Sequence, residues 1–244
     1  MSSPQNTPPR RLAGPPEGHA PGGAPINPLP AAVVALVLVI IGVEAAFSLG
    51  ARGILGGPEA VGWRLSALQS YAFSSEVFWW MQESGRWPAE HLMRFVSYIF
   101  VHGGFTHALF VCVFVLAMGK MVGEVMGDLA MVLIFLLSGA GGALGYALAV
   151  GGGHPLAGGF PAVYGLIGAF TFLLWRSLAT VGAQQSRAFT LIAFLMGVQL
   201  LFGLLFGGQN DWVADLTGFA TGFGLSFFLA PGGWARIRSK IRHD

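Results

Sequence analysis

Charge is what this chain has least of. Charged side chains make up 10% of its 244 residues, against about 25% in soluble globular domains. That shortfall excludes a soluble enzyme or binding module with a solvated surface. A sequence pI of about 9.0 does not bring nucleic acid back, because no basic patch is interleaved with aromatic residues and the excess charge sits in short connectors. Cysteine is nearly absent as well. Cys112 stands alone in an apolar run, so no internal disulfide can form, and no partners stand at zinc spacing. It reads as a small buried apolar side chain, and no metal or other cofactor is expected. A secretory signal is also missing. Residues 1–30 are rich in Pro, Gly and Ser, and their basic pair, Arg10 and Arg11, lies far from the first apolar run. They are expected to form a disordered cytoplasmic leader.

What the chain does have is hydrophobic length. Hydrophobic residues make up 54% of it, with a mean hydropathy of +0.66. Six stretches suit membrane helices: Ala31 to Leu49, then 106–122, 129–150, 161–175, 188–206 and 212–230. The expected architecture is an all-α membrane protein with its six-span domain at 31–230 and a basic cytoplasmic tail at 231–244. Asp128 stands where an N-cap for the third span belongs, and Pro231-Gly232-Gly233 stops the last. Residues 50–94 mix charge with Trp79, Trp80 and Trp87, which suggests a first loop lying along the membrane interface. Pro161 to Trp175 would reach only about 22 Å, short of the roughly 30 Å hydrocarbon core. A short fourth helix that starts partway into the bilayer, after Gly158-Gly159, needs protein or a wet cavity around its irregular approach. The start of span four is therefore a candidate site.

An even number of spans puts both termini on one side. That side would hold Arg10, Arg11, Lys120, Arg176, Arg187, Arg236, Arg238, Lys240 and Arg242, whereas Arg52, Arg64, Arg86 and Arg94 face the other way. This bias places both termini in the cytoplasm. The basic tail can hold anionic headgroups.

Ionisable groups inside a bilayer are costly and default to functional hypotheses. Four stand out: Glu44 in span one, His102 and His107 around the start of span two, and Asp215 early in span six. For Glu44 the expectation is a neutral carboxyl hydrogen-bonded to a neighbouring helix. The two histidines are five apart, a poor spacing for metal ligands on one helical face. Glycines crowd spans three, four and six, and the run Gly218-Phe-Ala-Thr-Gly222 fits close helix packing in membranes.

In this order and spacing the segments resemble the rhomboid family of intramembrane serine proteases over roughly residues 92–230. Arg94 followed by His102-Gly-Gly-Phe-Thr-His107 is similar to the family's approach to its second helix. Gly119 and Gly127 fit the glycines that follow, with Glu124 one residue late for the family's acid. The run Gly158-Gly159-Phe160-Pro161-Ala162-Val163-Tyr164-Gly165 is similar to the Gly-x-Ser-Gly-x-x-Tyr-Gly block that opens helix four. Ala214-Asp215-Leu216-Thr217-Gly218 through Gly222 is similar to the Ala-His-x-x-Gly-x-x-x-Gly block of helix six.

The resemblance implies a six-helix rhomboid-like bundle, and it places Phe160 where the family has its nucleophilic serine. It likewise places Asp215 at the general base and Val111 at an oxyanion-binding asparagine. Phenylalanine has no lone pair with which to attack a carbonyl, and the nucleophile–base pair is lost with it. Of the side-chain oxyanion donors only His107 remains, and Pro161 removes a backbone N–H. Asp215 is expected to bond to Tyr164 or to a backbone carbonyl, as a neutral group in a small polar pocket.

The expectation is thus a non-catalytic, rhomboid-like protein of a bacterial inner membrane, with a degenerate binding site at Phe160, Asp215, Val111, His107, Tyr164 and Gly158. Its partners would be the lipid bilayer and the transmembrane helices of other membrane proteins, with no nucleic acid. The alternatives are an active serine endopeptidase with a non-standard site, or a structural subunit of a membrane complex. Ser138, Thr217 and Cys112 lie in spans near the site, but none occupies the nucleophile position that the resemblance implies. Transport, prompted by Glu44 and Asp215, is weakened by the lack of inverted repeats and paired broken helices.

Overall fold

The structure is a computed structural model that describes residues 28–206 and 210–232. Residues 1–27 and 233–244, which hold most of the expected leader and tail, lie outside the described residues. Among the described residues, six helices are long and apolar enough to span a bilayer. They are α1 (Ala31–Ala51), α6 (Phe105–Met126), α7 (Asp128–Val150), α8 (Phe160–Thr180), α9 (Thr190–Phe206) and α10 (Trp212–Leu229). Four short helices fill the loop between the first two: α2 (Trp63–Tyr71), α3 (Ser75–Ser84), α4 (Ala89–Leu92) and α5 (Arg94–Ser97). The chain is an integral membrane protein built as a helical bundle.

Two features at helix ends differ from expectation. The fourth spanning helix is not short: α8 runs 21 residues, about 31 Å at the α-helical rise. Arg176 does not end it. The helix runs on to Thr180, and the Arg176 guanidinium lies over the Phe172 ring one turn back, 5.8 Å from its centroid. Asp128 does not cap its own helix either. It is the first residue of α7, and its Oδ2 accepts from the Ala32 N–H at 3.3 Å. The carboxylate therefore serves an open donor at the start of α1, which lacks a side-chain cap because Pro30 precedes it. Gly127, at φ +88°, makes this geometry possible by turning the chain sharply between α6 and α7.

The centre of the bundle is α7, α8 and α10. Lipid tails are as apolar as leucine, so close van der Waals contact must supply the attraction between helices. The glycines provide that contact. A methyl group on Gly222 would run into the Gly165 backbone and one on Gly218 into the Pro161 backbone. One on Gly142 would lie 2.8 Å from the Ala214 carbonyl. Gly224 is the exception and faces open space. Helix α1 packs on α6, with Val33 against Gly119 and Pro30 against Gly123. Helix α9 is peripheral: 12% of its span is buried, compared with 56% for α8.

Glu44 does bond to a neighbouring helix, but as one half of an ion pair rather than as a neutral carboxyl. Its partner is Arg64 of α2, which donates to both carboxylate oxygens at 2.7 and 2.9 Å. The pair is ionic and bidentate. The same guanidinium donates to the His102 carbonyl at 2.7 Å, so one side chain ties the first loop, α1 and the approach to α6 together. Further along the loop, Ser74 caps α3 and Gly85 ends it in the left-handed region. The Trp79 indole N–H docks this helix on the Ala147 carbonyl of α7 at 3.1 Å.

Candidate functional site

The starts of α6, α8 and α10 meet at the end of the bundle beneath the first loop. The segment leading into α8 is irregular, and several of its backbone groups have specific partners, as irregular chain in a membrane protein needs. Phe73 and Leu156 exchange both backbone hydrogen bonds at 3.0 and 2.8 Å, and the Gly158 N–H donates to the Tyr98 carbonyl at 2.8 Å. The Gly159 N–H donates to His102 Nε2 at 3.3 Å. His102 is buried, and burial followed by the neighbouring His107 pushes its pKa down to about 4. It is therefore a neutral acceptor at physiological pH. Gly158 sits at φ +101°, and any side chain there would collide with the His107 ring. Only glycine satisfies both conditions.

Phe160 is the first residue of α8, and its ring stacks on the His107 imidazole with centroids 4.9 Å apart and 17° between planes. His107 in turn meets the His102 ring edge-on at 5.1 Å. Its Nε2 is buried without a hydrogen-bond partner among the described residues. Val111 is fully buried one turn below and packs on Gly159. The predicted site residues on α6 and α8 thus come together, and the stacked rings form their centre.

Asp215 is 3% exposed but does not bond directly to Tyr164 or to a backbone carbonyl. Gln199 of α9 intervenes. The Tyr164 hydroxyl donates to Gln199 Oε1 at 3.1 Å, and Gln199 Nε2 donates to Asp215 Oδ2 at 2.8 Å. Sequence reasoning missed Gln199. The signal was present, since it is the only carboxamide in the apolar stretch 188–206, and polar side chains in membrane helices rarely lack a partner.

Two spaces open on this cluster. A cavity of about 490 Å³ lies under the first loop, with Tyr98, Tyr146, His154 and Asp211 among its walls. A crevice of about 280 Å³ lies between α6, α8 and α9, lined by Phe114, Val163, Ile167, Leu195 and Val198. Phe160, Gln199 and Asp215 belong to both. Neither is lined by a serine, threonine or cysteine among the described residues. Ser138 is fully buried against Gly165. The Thr217 hydroxyl donates to the Val213 carbonyl at 2.8 Å, and Cys112 lines a separate groove with Ile41 and Glu44. The described walls can pack an apolar segment and accept hydrogen bonds, but they carry no hydroxyl or thiol nucleophile other than tyrosine.

A family model described as the Rhomboid domain matches residues 89–232. Among known proteins, RHOMBOID-like protein 4 of Arabidopsis thaliana is 31% identical over 56% of this chain. RHOMBOID-like protein 5 of the same plant is 26% identical over 61%. A Bacillus subtilis protein, YdcA, whose name places it among rhomboid proteases, is 26% identical over 55%. The matched regions make up 34%, 46% and 65% of those proteins' own lengths, below two thirds in each case.

Proposed function

The chain belongs to the rhomboid family, and from that premise we propose that it is a non-catalytic member that binds transmembrane segments of other membrane proteins. The observation that carries this reading is Phe160, whose ring stacks on His107 where the family resemblance calls for a nucleophilic hydroxyl. Attack on a peptide carbonyl needs a lone pair beside a base. The phenyl ring offers none, and Asp215 is engaged by Gln199 instead. The same ring is well suited to binding: it forms a flat apolar wall shared by the cavity under the first loop and the lateral crevice. Helix α9, one side of that crevice, is held by few buried side chains, so moving it outward disrupts little packing.

In this reading a partner helix enters from the bilayer between α6 and α9 and packs against Phe160, Val163 and Ile167. The positive-inside bias supports cytoplasmic termini in a bacterial inner membrane, which would put the site on the exterior side. A photoreactive residue at position 160, in the full chain in native membranes, tests the proposal. Labelling of other proteins' membrane spans is expected. Labelling of lipid or of the chain itself alone would instead favour a sealed structural site in a complex subunit. Cleavage of a transmembrane substrate, or covalent capture by a serine-directed probe, would overturn the proposal.

A further inference from the structure

The fold holds two buried carboxylates near the loop-covered end of the bundle, and it treats them differently. Glu44 is given its own cation: Arg64 grips both oxygens. Asp215 is as deeply buried but receives one neutral amide, from Gln199. No lysine or arginine is among the described residues that line the cavity or the crevice meeting at Asp215. A second carboxylate, Asp211, lies one turn earlier and faces the same cavity. His107, whose buried Nε2 has no partner among the described residues, lines it as well. The site is therefore rich in acceptors and, among its described walls, short of cations. Its side opening toward lipid is apolar, with Phe114, Leu195 and Val198 on the walls.

The geometry points to a client membrane helix that carries a lysine or arginine near its loop-side end, the basic group seated against Asp215 and Asp211. This inference rests on the reading of the crevice as a binding site and specifies what it selects. The apolar body of the client replaces lipid against the crevice walls, and its basic head supplies the missing cation. Position favours this arrangement. Asp215 is in the first turn of α10 and Phe160 begins α8, so both mark the loop-side end of the bundle. A basic residue at that level of a client would otherwise snorkel to the headgroups. An ionic hydrogen bond to a desolvated carboxylate is among the stronger polar contacts available there.

The test uses the full chain in liposomes with a photoreactive residue at position 198, on the crevice wall. The probes are leucine–alanine single-span peptides of equal length, carrying Lys, Leu or Glu one turn inside the loop-side boundary. The lysine peptide is expected to crosslink about tenfold more than the leucine peptide, the difference expected for one hydrogen bond to a charged group. The glutamate peptide should crosslink least. Lysine moved to the opposite end should behave like leucine, and Asp215→Asn should erase the lysine advantage. If Asp215→Asn does not fold, the lysine and glutamate peptides on the unaltered chain decide the question. Equal yields from all three peptides would overturn this inference and leave the binding site standing. No peptide labelling, or labelling of lipid alone, would overturn both.

Discussion

Replacing Arg64 with leucine should destabilise the chain far more than replacing its partner, and the asymmetry follows from who is left behind. In Arg64→Leu the Glu44 carboxylate keeps only the Ser48 hydroxyl, 2.8 Å away. Breaking a buried ion pair from one side costs about 3–5 kcal/mol. Here Arg64 is 22% exposed, so water can partly replace it and about 2 kcal/mol is the better figure. The His102 carbonyl also loses its guanidinium donor, for about 1 kcal/mol more. The total is about 3 kcal/mol. In Glu44→Leu the guanidinium keeps the His102 carbonyl and its exposed edge, so the loss is only about 1 kcal/mol. The double variant leaves just the orphaned carbonyl, again about 1 kcal/mol. The cycle should therefore close with a coupling of about 3 kcal/mol. Reversible unfolding in mixed detergent micelles, followed by loss of helical circular dichroism, would measure all four corners. A double variant that loses the sum of the singles, about 4 kcal/mol, would refute the reasoning and demote the pair to a surface contact.

Three further outcomes follow from the same contacts. Gly218→Ala forces a methyl group into the rigid Pro161 backbone and should cost at least about 1–3 kcal/mol, whereas Gly224→Ala, facing open space, should be close to neutral in the same unfolding assay. Phe160→Ser should remain unlabelled by a serine-directed probe, because Asp215 is bonded to Gln199 and Val111 donates nothing; labelling would show that a base is within reach. His102 has a pKa of about 4 when folded against an ordinary 6.5, so between those values the unfolded chain binds a proton that the folded chain does not. Stability should fall as pH drops from about 6.5 to 4, by about 3 kcal/mol in all, and level off below. Unfolding at pH 7, 5.5 and 4 would show this slope, and His102→Gln should flatten it.

The span pattern was legible because hydropathy is a local property: each stretch announces itself without reference to the others. The glycine faces of α7, α8 and α10 were legible for a related reason, since small residues at helical spacing have few other uses in lipid. Where sequence reasoning failed, charge was read as a boundary or a neighbour was chosen by proximity in the chain. Arg176 looked like the end of a helix that in fact carries it. Asp128 looked like a cap for the helix it begins, yet it serves α1, 96 residues away. Tyr164 looked like the natural partner of Asp215 until α9 inserted Gln199 between them. Such long-range choices depend on how helices rotate about their axes, and hydropathy does not encode that rotation. Residue identities single out the start of α8 as a candidate site, but the stacking of Phe160 on His107 and the two spaces meeting at Asp215 depend on how the helices are arranged.

The bond between Asp128 and the start of α1 has a consequence for how this protein is made. At about 5–20 residues per second, synthesis of the intervening chain takes roughly 5–20 s. Over that time the first helix waits beside the ribosome's exit with an open donor and no Arg64 or Gly119 to lean on at first. Its loop-side end is secured early, when Arg64 emerges, but its other end is secured only when the turn at Gly127 has formed. Helix α1 lies outside the segment that matches the family, which begins at residue 89. It is fastened at one end by an ion pair and at the other by a borrowed cap. A membrane insertase that released α1 into lipid too soon would have to let it find that second fastening unaided.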